Sequence, residues 1–355
     1  MLLDIIKNSN RDEFDYHILA PMGKGELDQR AESFEIPVHY LSEKNRTGRI
    51  GLLCDGINLI KRLKPDLIIT HTRFSDLLGL YGGMRAGVRA RIMTVHAAGM
   101  YFLDSSPFHE GLIEYIVSRY AVHYVAVSNA VVGYLQKYGN IPSGKITLIH
   151  NGIDPERICR TDIRNRDDVR ESLGFEKHHF IVISVGRLIP VKGFEILLRE
   201  FSAFSKKAPD ARLLIVGYGP EEDKIRKTIG DLKLNDRIKI IGRYDKLAEL
   251  HNASDCFVMT SRQEGFGLAI LEAMACGLPV IGSNVGAVPE MIEDRVNGLI
   301  FSTKNDGELA LCISKIYENR NGARSMGDLA RKTALEKYHI KNTSKKYEEL
   351  YRRLL

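Results

Sequence analysis

The chain contains no tryptophan, and its five cysteines are odd in number, widely spaced and outside any C-x-x-C or Cys/His pattern. A disulfide-stapled or zinc-nucleated fold is therefore excluded, and Cys54, Cys159, Cys256, Cys276 and Cys312 read as reduced thiols of a cytoplasmic protein. Apolar runs stop short of the ~20 residues a membrane span needs. Met1 leads into Leu2, Leu3 and Asp4 with no basic segment ahead of an apolar one, so no secretion signal is expected. Long Pro/Ser/Gln-rich or acidic tracts are missing, which excludes wholesale disorder. Excess positive charge is small: 51 Lys and Arg against 45 Asp and Glu leave +6. No nucleic-acid partner is expected from so weak a field.

What the chain has is length and rhythm. Its 355 residues, 44% hydrophobic and 27% charged, exceed the usual single-domain size and predict two cores. Short β-rich runs fall at residues 16–19, 36–40, 67–71, 91–96, 122–127 and 146–149, and again at 180–185, 212–216, 237–241, 256–260, 278–281 and 299–301. Between most of them lie stretches with helical apolar spacing, such as Phe194, Leu197, Leu198, Phe201 and Phe204. Strand and helix in repeated alternation predict an α/β protein with doubly wound parallel sheets.

Residues 151–178 break the rhythm, being dense in Arg, Asp and Glu with few apolar side chains. A boundary there gives domains at 1–165 and 166–335, with an amphipathic helix in 336–355 that carries Tyr347, Leu350, Tyr351 and Leu354 along one side and is expected to return to the first domain. Two such domains are expected to face each other across a cleft at the carboxyl ends of their strands, where these folds bind ligands.

Chemistry concentrates in the second half. After the apolar strand 256–260 comes SRQEGFGLAILEAMACG, which sets Glu264 and the turn Gly265-Phe266-Gly267 at the strand's carboxyl end and opens a helix at Leu268. The glycines allow close backbone approach, and a helix start favours an anionic or hydroxyl-rich partner. Glu272 follows eight positions after Glu264, far enough to contact a different part of an elongated ligand. A Glu pair alone would read as a cap and a solvated helix residue. VGRLIPVKG alters that reading, since Gly186, Arg187 and Lys192 follow another strand and a guanidinium fork with an ammonium suits a diphosphate. Gly217 in GYGP and Tyr244 in GRYD end the next two strands, as a pocket wall and a neighbour for a base.

These residues resemble the nucleotide-sugar-binding domain of retaining glycosyltransferases of family 4, with the GT-B fold. VGRLIPVKG, LLIVGYGP, ASDCFVMTSRQEGFGLAILEAMACGLPVI and GAVPEMI occur in order at family-like spacing. A weaker likeness runs through RDEFDYHILAP, IPVHYL, LKPDLIITHTR and VSNAVVGYLQKYGNIPSGKITLIHNGID. The resemblance implies an acceptor-side first domain and a donor-binding second domain. Arg187 and Lys192 would hold the diphosphate, Glu264 the donor sugar, Gly265 to Leu268 the sugar and phosphate through backbone N–H groups, and Glu272 the ribose hydroxyls. It implies no cofactor and no metal, a nucleotide-sugar donor as co-substrate, and a saccharide or lipid-linked acceptor in bacterial polysaccharide or glycolipid synthesis. His96 in MTVHAAG matches a position near the transferred sugar, and His71 in LIITH is similarly placed.

The family opens with a strand and a Gly-Gly turn, whereas this chain opens in a helix, so the first domain is expected to lack its opening strand and the start to be truncated. Residues 76–92 mix Arg85, Arg89 and Arg91 with Leu77, Leu78, Leu80 and Met84, which suits either a core helix or peripheral contact with the inner face of a membrane. Rival readings are a degenerate relative that binds a nucleotide without transfer, and a sugar-nucleotide epimerase. A dehydrogenase is disfavoured, because no G-x-G-x-x-G opens a first helix.

Overall fold

A computed structural model describes residues 1–20, 28–41, 48–71, 73–97, 116–156, 158 and 163–355. Its strands are β1 (Ile18–Ala20), β2 (Val38–Tyr40), β3 (Leu67–Thr70), β4 (Ala90–Val95), β5 (His123–Ala126), β6 (Ile146–Leu148), β7 (Phe180–Val185), β8 (Ala211–Val216), β9 (Ile238–Ile241), β10 (Cys256–Met259), β11 (Val280–Ser283) and β12 (Leu299–Phe301). All pair in parallel, so each crossover needs a covering segment and both sheet faces are buried. The chain divides into one unit made of Met1–Gly152 and Ile340–Leu355 and a second made of Ile153–His339.

The second unit is a six-stranded sheet in the order β12-β11-β10-β7-β8-β9. Strand residues Phe180, Val182, Leu213, Ile215, Val258 and Ile281 meet Phe194, Leu197, Leu198, Phe201 and Phe204 of the helix Phe194–Ser205 in one buried cluster. The apolar spacing of that helix thus becomes its sheet-facing side.

The unit begins at Ile153, earlier than the 165/166 boundary the charge density suggests. Ile153 bridges His339 and its N–H donates to the Tyr338 carbonyl at 2.8 Å, and beyond it the helix Ile163–Ser172 carries a knot of ion pairs. Arg166 donates to the carbonyls of Asn252 and Ser254 and to Asp255 Oδ1 at 2.6 Å. Arg170, buried, donates to the carbonyls of Ala253, Lys177 and His179 and to Asp255 Oδ2 at 2.8 Å, and the Ile181 N–H reaches the same oxygen. A segment rich in charge is therefore fixed to its sheet rather than solvated.

In the first unit the parallel strands form two ladders, β1-β2 and β3-β4-β5-β6. Ile5 of the helix Leu2–Lys7 shares a buried cluster with Ile92, Val125, Ile149 and, from the helix Ile340–Leu354, Ile340, Tyr347, Leu350 and Tyr351. Ser344 Oγ donates to the Ile5 carbonyl at 2.9 Å. Residues 76–92 belong to this core: Leu78 and Leu80 are buried, and Arg91 Nε donates to the Tyr120 carbonyl. The apolar side chains of the stretch are thus packed inward, while Arg85 and Arg89 are exposed. Among the described residues no helix is long and apolar enough to cross a membrane. Cys54, Cys256, Cys276 and Cys312 form no disulfide among the described residues, and Cys159 lies outside them.

Candidate functional site

In the second unit the chain runs outward from β7 to β8 and β9, then returns to lay β10 on the other side of β7 and runs outward again to β11 and β12. The place where the winding direction reverses, between the carboxyl ends of β7 and β10, is where open parallel sheets form a crevice. The loops after these two strands carry Arg187 with Lys192 and Glu264, respectively.

The two loops are tied together. Lys192 Nζ donates to Glu264 Oε2 at 2.6 Å, with the two side chains 25% and 14% exposed. Ser261 Oγ donates to the same carboxylate oxygen at 3.2 Å, and the Ser261 carbonyl accepts from Ser283 Oγ at 2.7 Å. Thr260 Oγ1 donates to the Lys192 carbonyl, and the Arg262 N–H to the Val191 carbonyl at 2.7 Å. Arg187, in contrast, is exposed, and its guanidinium has no partner among the described residues. The crevice therefore presents one free cation beside an ion pair, a net positive charge suited to an anion.

Two glycines make the close approaches. At Gly286, φ is +55° and an added Cβ would stand 1.7 Å from the Glu264 carbonyl oxygen, so the loop after β11 presses directly on the backbone that carries the carboxylate. Gly217 allows the same intimacy between neighbouring loops, where a Cβ would stand 1.9 Å from the Gly186 carbonyl oxygen. No side chain fits either place. The stem of Lys192 passes over Gly186, at 3.8 Å from where a Cβ would sit.

The remaining residues expected here separate into those that reach the crevice and those that do not. Gly267, at φ +96°, caps the helix Leu268–Ala275, whose leading N–H groups carry the positive end of its dipole. Leu268 is exposed at that start, Gly265 is buried, and Glu272 is half-buried on the same helix. The Phe266 ring turns inward, 2% exposed, and meets Tyr338 edge-on at 5.8 Å. Only its backbone is left for a ligand, because the aromatic serves the core. Tyr244 donates its hydroxyl to Glu249 Oε2 at 3.2 Å, which orients the ring at the end of β9. Sequence reasoning passed over Ser261 and Gly286, although both lie in the motifs SRQEGFG and GAVPEMI.

In the first unit, His71 and His96 follow the neighbouring strands β3 and β4, and their rings meet through His71 Nδ1 and His96 Nε2 at 3.1 Å. Burial holds both imidazoles neutral, lowering His71 to about 3 and His96 to about 4, with His96 adding to the effect on His71. Five residues beyond His71, Asp76 is buried and its carboxyl is raised to about 7 by the same loss of solvent. The first unit thus offers neutral hydrogen-bonding groups where the second offers charge.

Comparison with known proteins matches both halves. Residues 165–333 fit the family described as glycosyl transferases group 1, and residues 1–157 fit glycosyltransferase family 4. The N-acetyl-alpha-D-glucosaminyl L-malate synthase of Bacillus anthracis is 29% identical over 293 residues, covering 82% of this chain and 75% of that protein. The UDP-Gal:alpha-D-GlcNAc-diphosphoundecaprenol alpha-1,3-galactosyltransferase of Escherichia coli is 26% identical over 303 residues, 79% of this chain and 77% of that one. Among solved structures, Anabaena Alr3699/HepE in complex with UDP-glucose aligns with a TM-score of 0.86 at 24% identity, over 99% of this chain and 94% of that one, a likeness of fold.

Proposed function

Since the chain belongs to the family 4 glycosyltransferases of the GT-B fold, we propose that it transfers a sugar, with retention of configuration and without a metal ion, from a nucleotide-sugar donor to a saccharide or lipid-linked acceptor. The observation that carries this reading is the pairing of Lys192 with Glu264 across the winding reversal, with Arg187 free beside it. Both curated relatives make an alpha-configured sugar linkage by name, the outcome that retention gives from an alpha-configured donor.

The donor's diphosphate lies against Arg187 and Lys192, its sugar against Glu264, and its ribose diol against Glu272. As the bond from the sugar's anomeric carbon to the phosphate oxygen breaks, the electron pair leaves with the nucleoside diphosphate. Arg187, Lys192 and the start of the helix Leu268–Ala275 stabilise that growing charge. The acceptor oxygen bonds to the anomeric carbon on the face being vacated, and its proton passes to the departing phosphate oxygen. Side-chain bases are therefore unnecessary. Neutral His96 offers a hydrogen bond to a sugar hydroxyl.

Thermal stabilisation by nucleoside diphosphates and nucleotide sugars tests the donor site. A ligand at about 100 times its Kd adds about 2.7 kcal/mol. One base should stabilise the parent, and Arg187→Ala with Lys192→Ala should remove the shift and lower transfer by at least about a hundredfold. Transfer that survives EDTA supports metal independence. A folded parent that binds the nucleotide but turns over no saccharide or lipid-linked acceptor would instead support a nucleotide-binding relative without transfer.

A further inference from the structure

The crevice is not a bare cationic trap, because Lys192 is already engaged. Lys192 spends its charge on Glu264 at 2.6 Å, while Arg187 stands exposed with no partner among the described residues. Glu264 is itself held in place, by Ser261 Oγ on the shared oxygen and by the backbone pressed against Gly286. Any diphosphate that draws Lys192 away must leave that carboxylate without its counter-ion, facing a second anion.

We propose that Glu264 has a discriminating role beyond its contact with the donor sugar: as a resident counter-ion of Lys192, it favours the intact nucleotide sugar over the bare nucleoside diphosphate. This rests on the donor-site reading above. With the intact donor, sugar hydroxyls donate to the Glu264 carboxylate as Lys192 turns to the phosphates, so every charged group keeps a partner. With the bare diphosphate, Glu264 keeps only Ser261 and solvent and lies beside a terminal phosphate bearing additional negative charge. Like charges at such range in a partly desolvated crevice repel appreciably. The leaving group is thereby expelled after transfer, and the free protein is protected from occupation by product.

The test is direct titration of UDP, GDP, ADP, CDP and dTDP into the parent, Glu264→Gln, Arg187→Ala and Lys192→Ala, at two salt concentrations. Glutamine keeps the shape and removes the charge, and Glu264→Ala repeats the measurement without the amide. For the diphosphate that binds best, Glu264→Gln should bind about tenfold more tightly than the parent, with the gain shrinking as salt rises. Arg187→Ala and Lys192→Ala should bind it more weakly. If the two cation variants weaken binding but Glu264→Gln and Glu264→Ala bind the diphosphate no more tightly than the parent, the discriminating role is overturned and the donor site stands. If the cation variants change nothing, or no diphosphate binds the parent or Glu264→Gln, the donor-site reading itself falls.

Discussion

The two units use the same architectural position, the carboxyl ends of parallel strands, in opposite electrostatic ways. In the second, the Lys192–Glu264 ion pair and the exposed Arg187 guanidinium line a half-open crevice. In the first, His71, His96 and Asp76 sit where burial suppresses charge, lowering the imidazoles and raising the carboxyl. A charged crevice can meet a polyanion, whereas a neutral one meets hydroxyls without competing for phosphate. That contrast supports assigning the diphosphate to the second unit.

The contrast breaks first, and with the largest expected effect, at the ion knot that holds the second unit together. Asp255→Ala leaves the buried Arg170 guanidinium with carbonyls only, and removal of one partner from a buried pair costs about 3–5 kcal/mol. Calorimetry should show the loss in the second unit's transition and not in the first's. Equal loss in both, or a change under about 1 kcal/mol, would mean that the knot is incidental.

Acid sharpens the contrast at intermediate size. His251 in the second unit is fully buried with neither ring nitrogen hydrogen-bonded among the described residues, and burial lowers it to about 4. The unfolded chain takes up its proton near pH 6.5, so the stability this neutral imidazole carries is present above that value and lost as pH falls toward about 4. By about pH 5 the loss reaches about 2 kcal/mol, and His251→Phe should flatten the acid limb of the second unit. The first unit carries both signs. His71 and His96 lose stability on acidification, whereas Asp76, raised to about 7, contributes stability that is full below about 3.8 and lost as pH rises through 7. Asp76→Asn should therefore leave the first unit steadier at neutral pH and steeper in acid. Melting curves from pH 4 to 8 that show no such crossing would remove the electrostatic account of that strand edge.

The smallest effect is expected at the rim. Arg262 and Glu195 form an ion pair with both side chains well exposed, at 58% and 40%. Glu195→Ala should cost under about 1 kcal/mol of stability and leave nucleotide affinity within about twofold. A large change would show that the ties between the two loops depend on that pair rather than on the backbone bonds beneath it.

Much of this was legible in the chain. The alternation of apolar runs and helical spacing announces parallel sheets, and glycines beside Arg187, Lys192 and Glu264 announce a ligand, because those features are local. What escaped was contact between distant segments. The charges of Arg166 and Arg170 look solvated until Asp255, more than eighty positions on, is placed beneath them. The inward turn of the Phe266 ring depends on Tyr338, more than seventy positions on. The meeting of His71 with His96 depends on β3 lying beside β4, a pairing that periodicity cannot order.

Ile153 and His339, the two ends of the second unit, form a parallel bridge, and the Ile153 N–H donates to the Tyr338 carbonyl at 2.8 Å. A unit whose beginning and end lie side by side is a cassette: it can be excised, permuted or exchanged between relatives at a single seam. Gly152 is where such a graft would succeed or fail, since a Cβ there would stand 2.7 Å from the Ile340 Cα. A donor specificity could thus be transplanted whole, provided that seam keeps its glycine.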